Sequence, residues 1–153
     1  MKNDNDIAAR MQRLFDLWGK FDRVYFKILH RWNLSYNSYL LLEELYHHPE
    51  GLEPAATADR LSIPRQTMTF VLDSLERDGH LERLPHPADR RRKLITLTPA
   101  GRRFGEEVVN TIFEKERAAM DALSPAEQEQ LLEMYERLQR GFERSFLSET
   151  EHS

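Results

Sequence analysis

The chain has no cysteine anywhere in its 153 residues. Disulfides, thiolate metal sites and thiol-based redox sensing are therefore excluded. No apolar run approaches the roughly 20 residues that a membrane-spanning helix requires. There is no glycine-rich phosphate loop, no nucleophile elbow and no metalloprotease His-Glu spacing. Serine and histidine occur, but no local signature joins them. An enzyme is not expected, and neither is a cofactor. The first residues, Met-Lys-Asn-Asp-Asn-Asp, are polar and lead into no apolar signal segment, so a cytoplasmic protein is expected.

What is present is 40% hydrophobic and 31% charged. That balance is globular and leans towards long charged helices. The length fits one domain, or one compact unit with a helical extension. A chain of this size buries roughly 70% of its unfolded surface and needs no covalent staples. The net charge of −4 is unevenly spread: residues 60–103 hold ten Lys/Arg against five Asp/Glu, about +5, which leaves about −9 elsewhere. A basic binding module on an acidic scaffold follows from that asymmetry.

Apolar spacing divides the chain into helices and one hairpin. From about Asp6 to Trp32, residues Ile7, Met11, Leu14, Trp18, Phe21, Tyr25, Ile28 and Trp32 alternate steps of four and three. That is a helix-packing seam, and at 1.5 Å per residue it is ~40 Å long. One small core cannot cover it, so part of it is expected to face a second chain. A helix over about Tyr36–His47 follows, with Ser35 as N-cap, broken by Pro49-Glu50-Gly51. A short helix over about Pro54–Leu61 starts on a proline suited to the first turn.

The stretch Leu61–Thr98 is the most informative. Pro64 to about Asp78 reads as an amphipathic helix ended by Gly79. Pro64, Met68, Val71, Leu72 and Leu75 share one side, and Gln66, Phe70, Asp73 and Arg77 the other. Leu81–Pro85 and Leu94–Thr98 have the character of short paired strands. Between them lies a tip, His86 to Lys93, that ends in the four consecutive cations Arg90, Arg91, Arg92 and Lys93. A polar helix face beside a cationic hairpin suits a nucleic-acid duplex. Thr98-Pro99 opens a helix to about Leu123, and Ser124-Pro125-Ala126-Glu127 is a capping box opening the last one.

The motifs Ala58-Asp59-Arg60-Leu61, Thr67-Met68-Thr69, Leu75-Glu76-Arg77-Asp78-Gly79, Asp89-Arg90-Arg91 and Leu97-Thr98-Pro99-Ala100-Gly101 occur in an order that resembles the MarR family of bacterial transcriptional regulators. The resemblance covers roughly Ser35 to the end and is tightest from Ala58 to Arg103. It implies a mainly α fold with a small β-hairpin wing: a winged helix-turn-helix lobe plus a helical dimerisation region. Residues 1–34 would be the N-terminal dimerisation helix, 35–98 the DNA-binding lobe and 99–150 the C-terminal dimerisation helices. It further implies a homodimer, usually a repressor of a small gene set, released from a pseudo-palindromic operator by an effector.

On that reading Arg65, Gln66, Thr67, Thr69, Phe70 and Arg77 face DNA. Arginine pairs with guanine and glutamine with adenine at major-groove edges. Phe70 is open between contact with a thymine methyl and packing on a neighbouring helix. In the wing, the resemblance gives Asp89 the role of holding an arginine, Arg91 foremost, for the minor groove. Arg90, Arg92 and Lys93 then add salt-sensitive phosphate contacts. Ile7, Met11, Leu14, Leu131, Tyr135, Leu138 and Phe142 are the expected dimer residues.

Trp18, Phe21, Tyr25, Tyr36 and Tyr39 are candidates for a crevice suited to a small aromatic or phenolic effector, though aromatics at helical spacing also serve as plain core. Glu43, Glu44, His47 and His48 share a helix at metal-ligand spacing. A solvated helix end, where His suits the C-terminal dipole, is preferred because no further ligand is evident. No metal is therefore expected. Outside DNA binding, the competing reading is a winged-helix interaction module whose basic wing serves an acidic protein.

Overall fold

The computed structural model describes residues 2–89 and 91–147. It is mainly helical with a two-stranded hairpin, in the order α1 (Lys2–Leu29), α2 (Tyr36–His47), α3 (Pro54–Arg60), α4 (Arg65–Arg77), β1 (Leu81–Pro85), β2 (Lys93–Leu97), α5 (Pro99–Met120) and α6 (Pro125–Leu147). No described helix is long and apolar enough to cross a membrane. Backbone contacts divide the chain into two compact units, Met1–Val109 and Asn110–Ser153.

In the first unit, local chemistry sets most helix ends. Ser35 Oγ accepts the Ser38 N–H and starts α2, and Thr98 Oγ1 accepts the Gly101 N–H and starts α5. Two helices close in the same way. At the end of α3, Ser62 (φ +53°) lets its N–H reach Asp59 O and the Ile63 N–H reach Ala58 O. At the end of α4, Gly79 (φ +77°) gives the matching pair to Glu76 O and Leu75 O. Both are Schellman ends, which satisfy the orphan carbonyls of a helix.

Several expected boundaries shift. The first helix begins earlier and stops at Leu29, with His30–Trp32 in a 3₁₀ turn. Pro64 is not the first helical residue but the cap before it, in extended conformation and exposed. The core position expected for it is filled by Ile63, 5% exposed, because the left-handed Ser62 redirects the chain before α4 begins. Lys93 lies in β2, paired with Pro85, so the hairpin tip is one residue shorter than expected. α5 stops at Met120 rather than near Leu123.

The core of this unit packs Leu41 and Leu45 of α2, Ala58 of α3 and Ile63 against Met68, Val71, Leu72 and Leu75 of α4 and Leu81 and Ile95 of the hairpin. Complete burial of a leucine is worth about 1.5–3 kcal/mol. Leu52 exchanges backbone hydrogen bonds with Ile95 (2.9 and 2.8 Å), a third strand-like contact that ties the hairpin to the segment before α3. Gly101 sits against the backbone of His80: a Cβ there would lie 1.8 Å from His80 O. In the second unit, α6 opens on the expected capping box, with Glu127 accepting the Ser124 N–H at 2.8 Å. Hydrogen bonds from Ser124 hold the Glu127 carboxyl below its usual range. No described residue of α6 is buried.

Candidate nucleic-acid interface

The buried stripe of α4 fixes which of its side chains face outward. With Met68, Val71, Leu72 and Leu75 in the core, Arg65, Gln66, Thr69, Phe70, Asp73 and Arg77 are exposed, and Thr67 is half-buried. Phe70 is 67% exposed. Of its two open readings, packing on a neighbouring helix is thus not the arrangement adopted.

Several polar groups of this face are already engaged. Arg65 Nη2 donates to both carboxylate oxygens of Asp59 (3.1 and 2.8 Å), which ties the first residue of α4 back to α3 across the turn. Thr69 Oγ1 donates to Arg65 O, one turn back on its own helix. Arg77 donates to Ser74 Oγ at 3.0 Å and lies 3.7 Å from Asp78. Arg83 of β1 pairs with Asp73 and with Glu76 (2.9 Å), offsetting two carboxylates of α4. Arg83 was not singled out from sequence, and Asp59 stood there only within a motif, with no partner assigned. Their partners lie six and ten residues away, outside any helical spacing.

The wing is built on the antiparallel register Leu81↔Leu97 to Pro85↔Lys93. Its tip is ordered by main-chain bonds: His86 N–H to Arg92 O (3.1 Å) and Arg92 N–H to Asp89 O (2.9 Å). The Asp89 carboxylate accepts the Arg91 main-chain N–H at 3.0 Å. This bond joins the Asp89 carboxylate to the Arg91 main chain and shapes the turn. An aspartate two residues before the donor forms an Asx turn from a purely local contact. Arg91 and Lys93 are exposed. Arg90 lies outside the described residues, as do the last three of the region expected at 99–150.

Arg92 is placed differently. Its guanidinium binds the Glu53 carboxylate, through Nε at 3.0 Å and through Nη2. Glu53 stands at the N-terminal end of α3. Hydrogen bonding from Arg92, helped by charge from Arg92 and His86 and opposed by desolvation, holds the Glu53 carboxyl below its ordinary range. The same bond pushes Arg92 up. Glu53 was missed from sequence, and only its place just before Pro54 hinted at a role.

The aromatic candidates divide. Tyr36 sits between Tyr25 and Tyr39, with ring centroids at 5.5 and 6.3 Å. Tyr39 is buried, and its hydroxyl donates to Glu43 at 2.8 Å. Trp18 packs on Phe15 at 5.5 Å, and Phe21 is 64% exposed. Glu43, Glu44, His47 and His48 are not assembled as ligands. Glu44 pairs with Arg60, and His48 hydrogen-bonds Glu50 at 2.9 Å. Among the described residues no three His, Cys, Asp or Glu side chains come together as a metal would need.

Residues 32–92 match the model described as the MarR family. The chain is 31% identical over 122 residues to the HTH-type transcriptional repressor YetL of Bacillus subtilis, covering 79% of this chain and 73% of that one. It is 34% identical over 111 residues to the HTH-type transcriptional regulator PecS of Dickeya dadantii, covering 71% of this chain and 65% of that one, just under two thirds of PecS. Among solved structures, the S. aureus MepR–DNA complex superposes with a TM-score of 0.73 at 25% identity, covering 84% of this chain and 95% of MepR.

Proposed function

The chain belongs to the MarR family of winged helix-turn-helix transcription regulators, and from that premise we propose that it is a homodimeric, sequence-specific DNA-binding repressor of a small gene set, released by a small-molecule effector. The observation that carries this reading is the pairing of two surfaces in one unit. The outward face of α4 presents Gln66 and Phe70, and the wing presents exposed Arg91 and Lys93. A helix of this kind enters the major groove, and an arginine at a hairpin tip suits a narrow minor groove. MepR is recorded in complex with DNA, and YetL is named a repressor; both support the reading. A DNA-directed role supports a cytoplasmic location as part of the same reading.

Dimerisation is supported by apolar surface that one copy leaves uncovered. On α1, Ile7 and Met11 are 46% and 44% exposed. On α6, Leu131 and Tyr135 are 43% and 52% exposed. Exposed apolar stripes of this length mark interaction surfaces, and we assign each to a second copy. Two copies then present two α4 helices to half-sites about one helical turn apart, hence a pseudo-palindromic operator. For the effector, the region of Tyr25, Tyr36 and Tyr39, with Trp18 and Phe21 on the same α1, suits a small aromatic or phenolic compound. Such a ligand releases DNA if it binds better to a form in which the two α4 helices do not match the groove spacing.

The test is a titration of duplex DNA at several salt concentrations, with a promoter fragment compared against random sequence. The expected result is steep salt dependence together with a clear preference for one sequence. Salt dependence without any preference would leave the repressor reading unsupported.

A further inference from the structure

We infer that Phe70 is a specificity-determining residue that reads the C5 methyl group of a thymine, one or two base pairs from the pair read by Gln66. The inference rests on the DNA-binding reading above and deepens it. Four buried residues complete the core stripe of α4 without Phe70. Phe70 stands on the opposite face and is 67% exposed, where an aromatic ring gains nothing from the fold.

Its surroundings narrow what it can meet. Arg65 is bound to Asp59, Arg77 to Ser74, and Asp73 to Arg83. The charged side chains of this face are thus partly engaged within the molecule. What projects from its N-terminal half is an amide, Gln66, and one turn further on a ring with no polar atom. In the major groove the one apolar feature at a base edge is the C5 methyl group, while every other difference between bases is a donor or an acceptor. Residues four apart on a helix have Cβ atoms ~5–6 Å apart, and stacked bases rise about 3.4 Å. Gln66 and Phe70 therefore address base pairs one or two steps apart, and an adenine close to a thymine is the expected content of each half-site.

The experiment uses the full chain and synthetic duplexes that contain no 5-methylcytosine, so thymine is the only source of the methyl group. A binding site is first selected from random duplexes. Each thymine in it is then replaced by uracil, which removes the methyl and nothing else. The wild-type protein is expected to lose affinity about fourfold at one thymine per half-site, the worth of one buried methyl-sized group. Phe70→Ala should bind the thymine and uracil duplexes equally at that position. Phe70→Leu, which keeps an apolar contact, should retain part of the difference.

A wild-type protein that prefers its selected site yet is indifferent to uracil throughout would overturn the assignment of Phe70. So would a Phe70→Ala variant that discriminates as well as the wild type. Failure to select any sequence would instead overturn the DNA-binding reading, and the inference with it.

Discussion

Glu53 and Arg92 are bonded through two guanidinium nitrogens, joining the N-terminal end of α3 to the wing across 39 residues of sequence. Arg92 is therefore a neutralised cation, and its neighbour Arg91 is better placed to meet DNA. Glu53→Gln should release one cation for phosphate contact. The slope of log K against log salt is expected to steepen by about one unit. An unchanged slope would show that Arg92 reaches phosphate despite Glu53, or never does.

The same pair has a defined pH response. The Glu53 carboxyl lies below its ordinary range because Arg92 bonds it. A depressed carboxyl stabilises the fold above its unfolded pKa, and that contribution disappears as pH falls through the folded value. Hydrogen-exchange protection of the wing amides should hold constant from neutral pH down to the usual carboxylate range and decay below it. Glu53→Gln should remove the decay. The pair is solvent-accessible on both sides, so its effect belongs to wing order rather than to global stability.

Much of this architecture is legible in the sequence because its signals are local. Ser35, Thr98 with Pro99, and Ser124 with Glu127 each cap a helix within three residues, and each acts as the residue types require. The α4 stripe and both strands follow from periodicity, to within about one residue. What is illegible depends on residues that only the fold brings together. Glu53 with Arg92, Asp59 with Arg65, and Leu52 with Ile95 have no spacing that announces them. Pro64 misled because proline favours the first helical position, whereas the left-handed Ser62 makes it a cap here. The bond from Asp89 to the Arg91 main chain is local too, but residue types alone do not say through which atoms an aspartate holds a loop.

Arg91 is the wing cation whose turn is set by Asp89. Arg91→Ala should weaken binding to a selected operator by about 1–3 kcal/mol. The melting temperature should not change, since the side chain is exposed. Asp89→Ala should also weaken binding, by loosening the turn while leaving the cation in place. Full affinity in Arg91→Ala would give the wing only a minor part in recognition.

Gly101 tests how α5 is seated. A Cβ at this position would lie 1.8 Å from His80 O and 2.6 Å from its carbonyl carbon, backbone atoms that cannot rotate away. The N-cap contacts of Thr98 with Gly79 O and Gly101 N–H hold the same junction. Gly101→Ala should cost about 1–3 kcal/mol, the usual penalty of overpacking, even though alanine is the better helix former. Gly141, where a Cβ would meet nothing within 4 Å, is the control: Gly141→Ala should be neutral or stabilising. A stable Gly101→Ala would mean that α5 can lift from His80 at little cost.

The dimer proposal meets its most direct test on α6. No described residue of this helix is buried in one chain, and Leu131 and Tyr135 share a face one turn apart. If a second copy covers that face, Leu131→Asp places an unpaired charge in an apolar interface, a change expected to cost several kcal/mol of association. Sedimentation should then show the variant as a monomer at concentrations where the wild type is a dimer. The wild-type melting temperature should rise with protein concentration, as mass action requires of a folded dimer, and that dependence should vanish in the variant. DNA affinity should fall with it, because one copy can occupy only one half-site. A variant that sediments as the wild type does would show that this face of α6 is not where the copies meet, and the dimer would then have to rest on α1 alone.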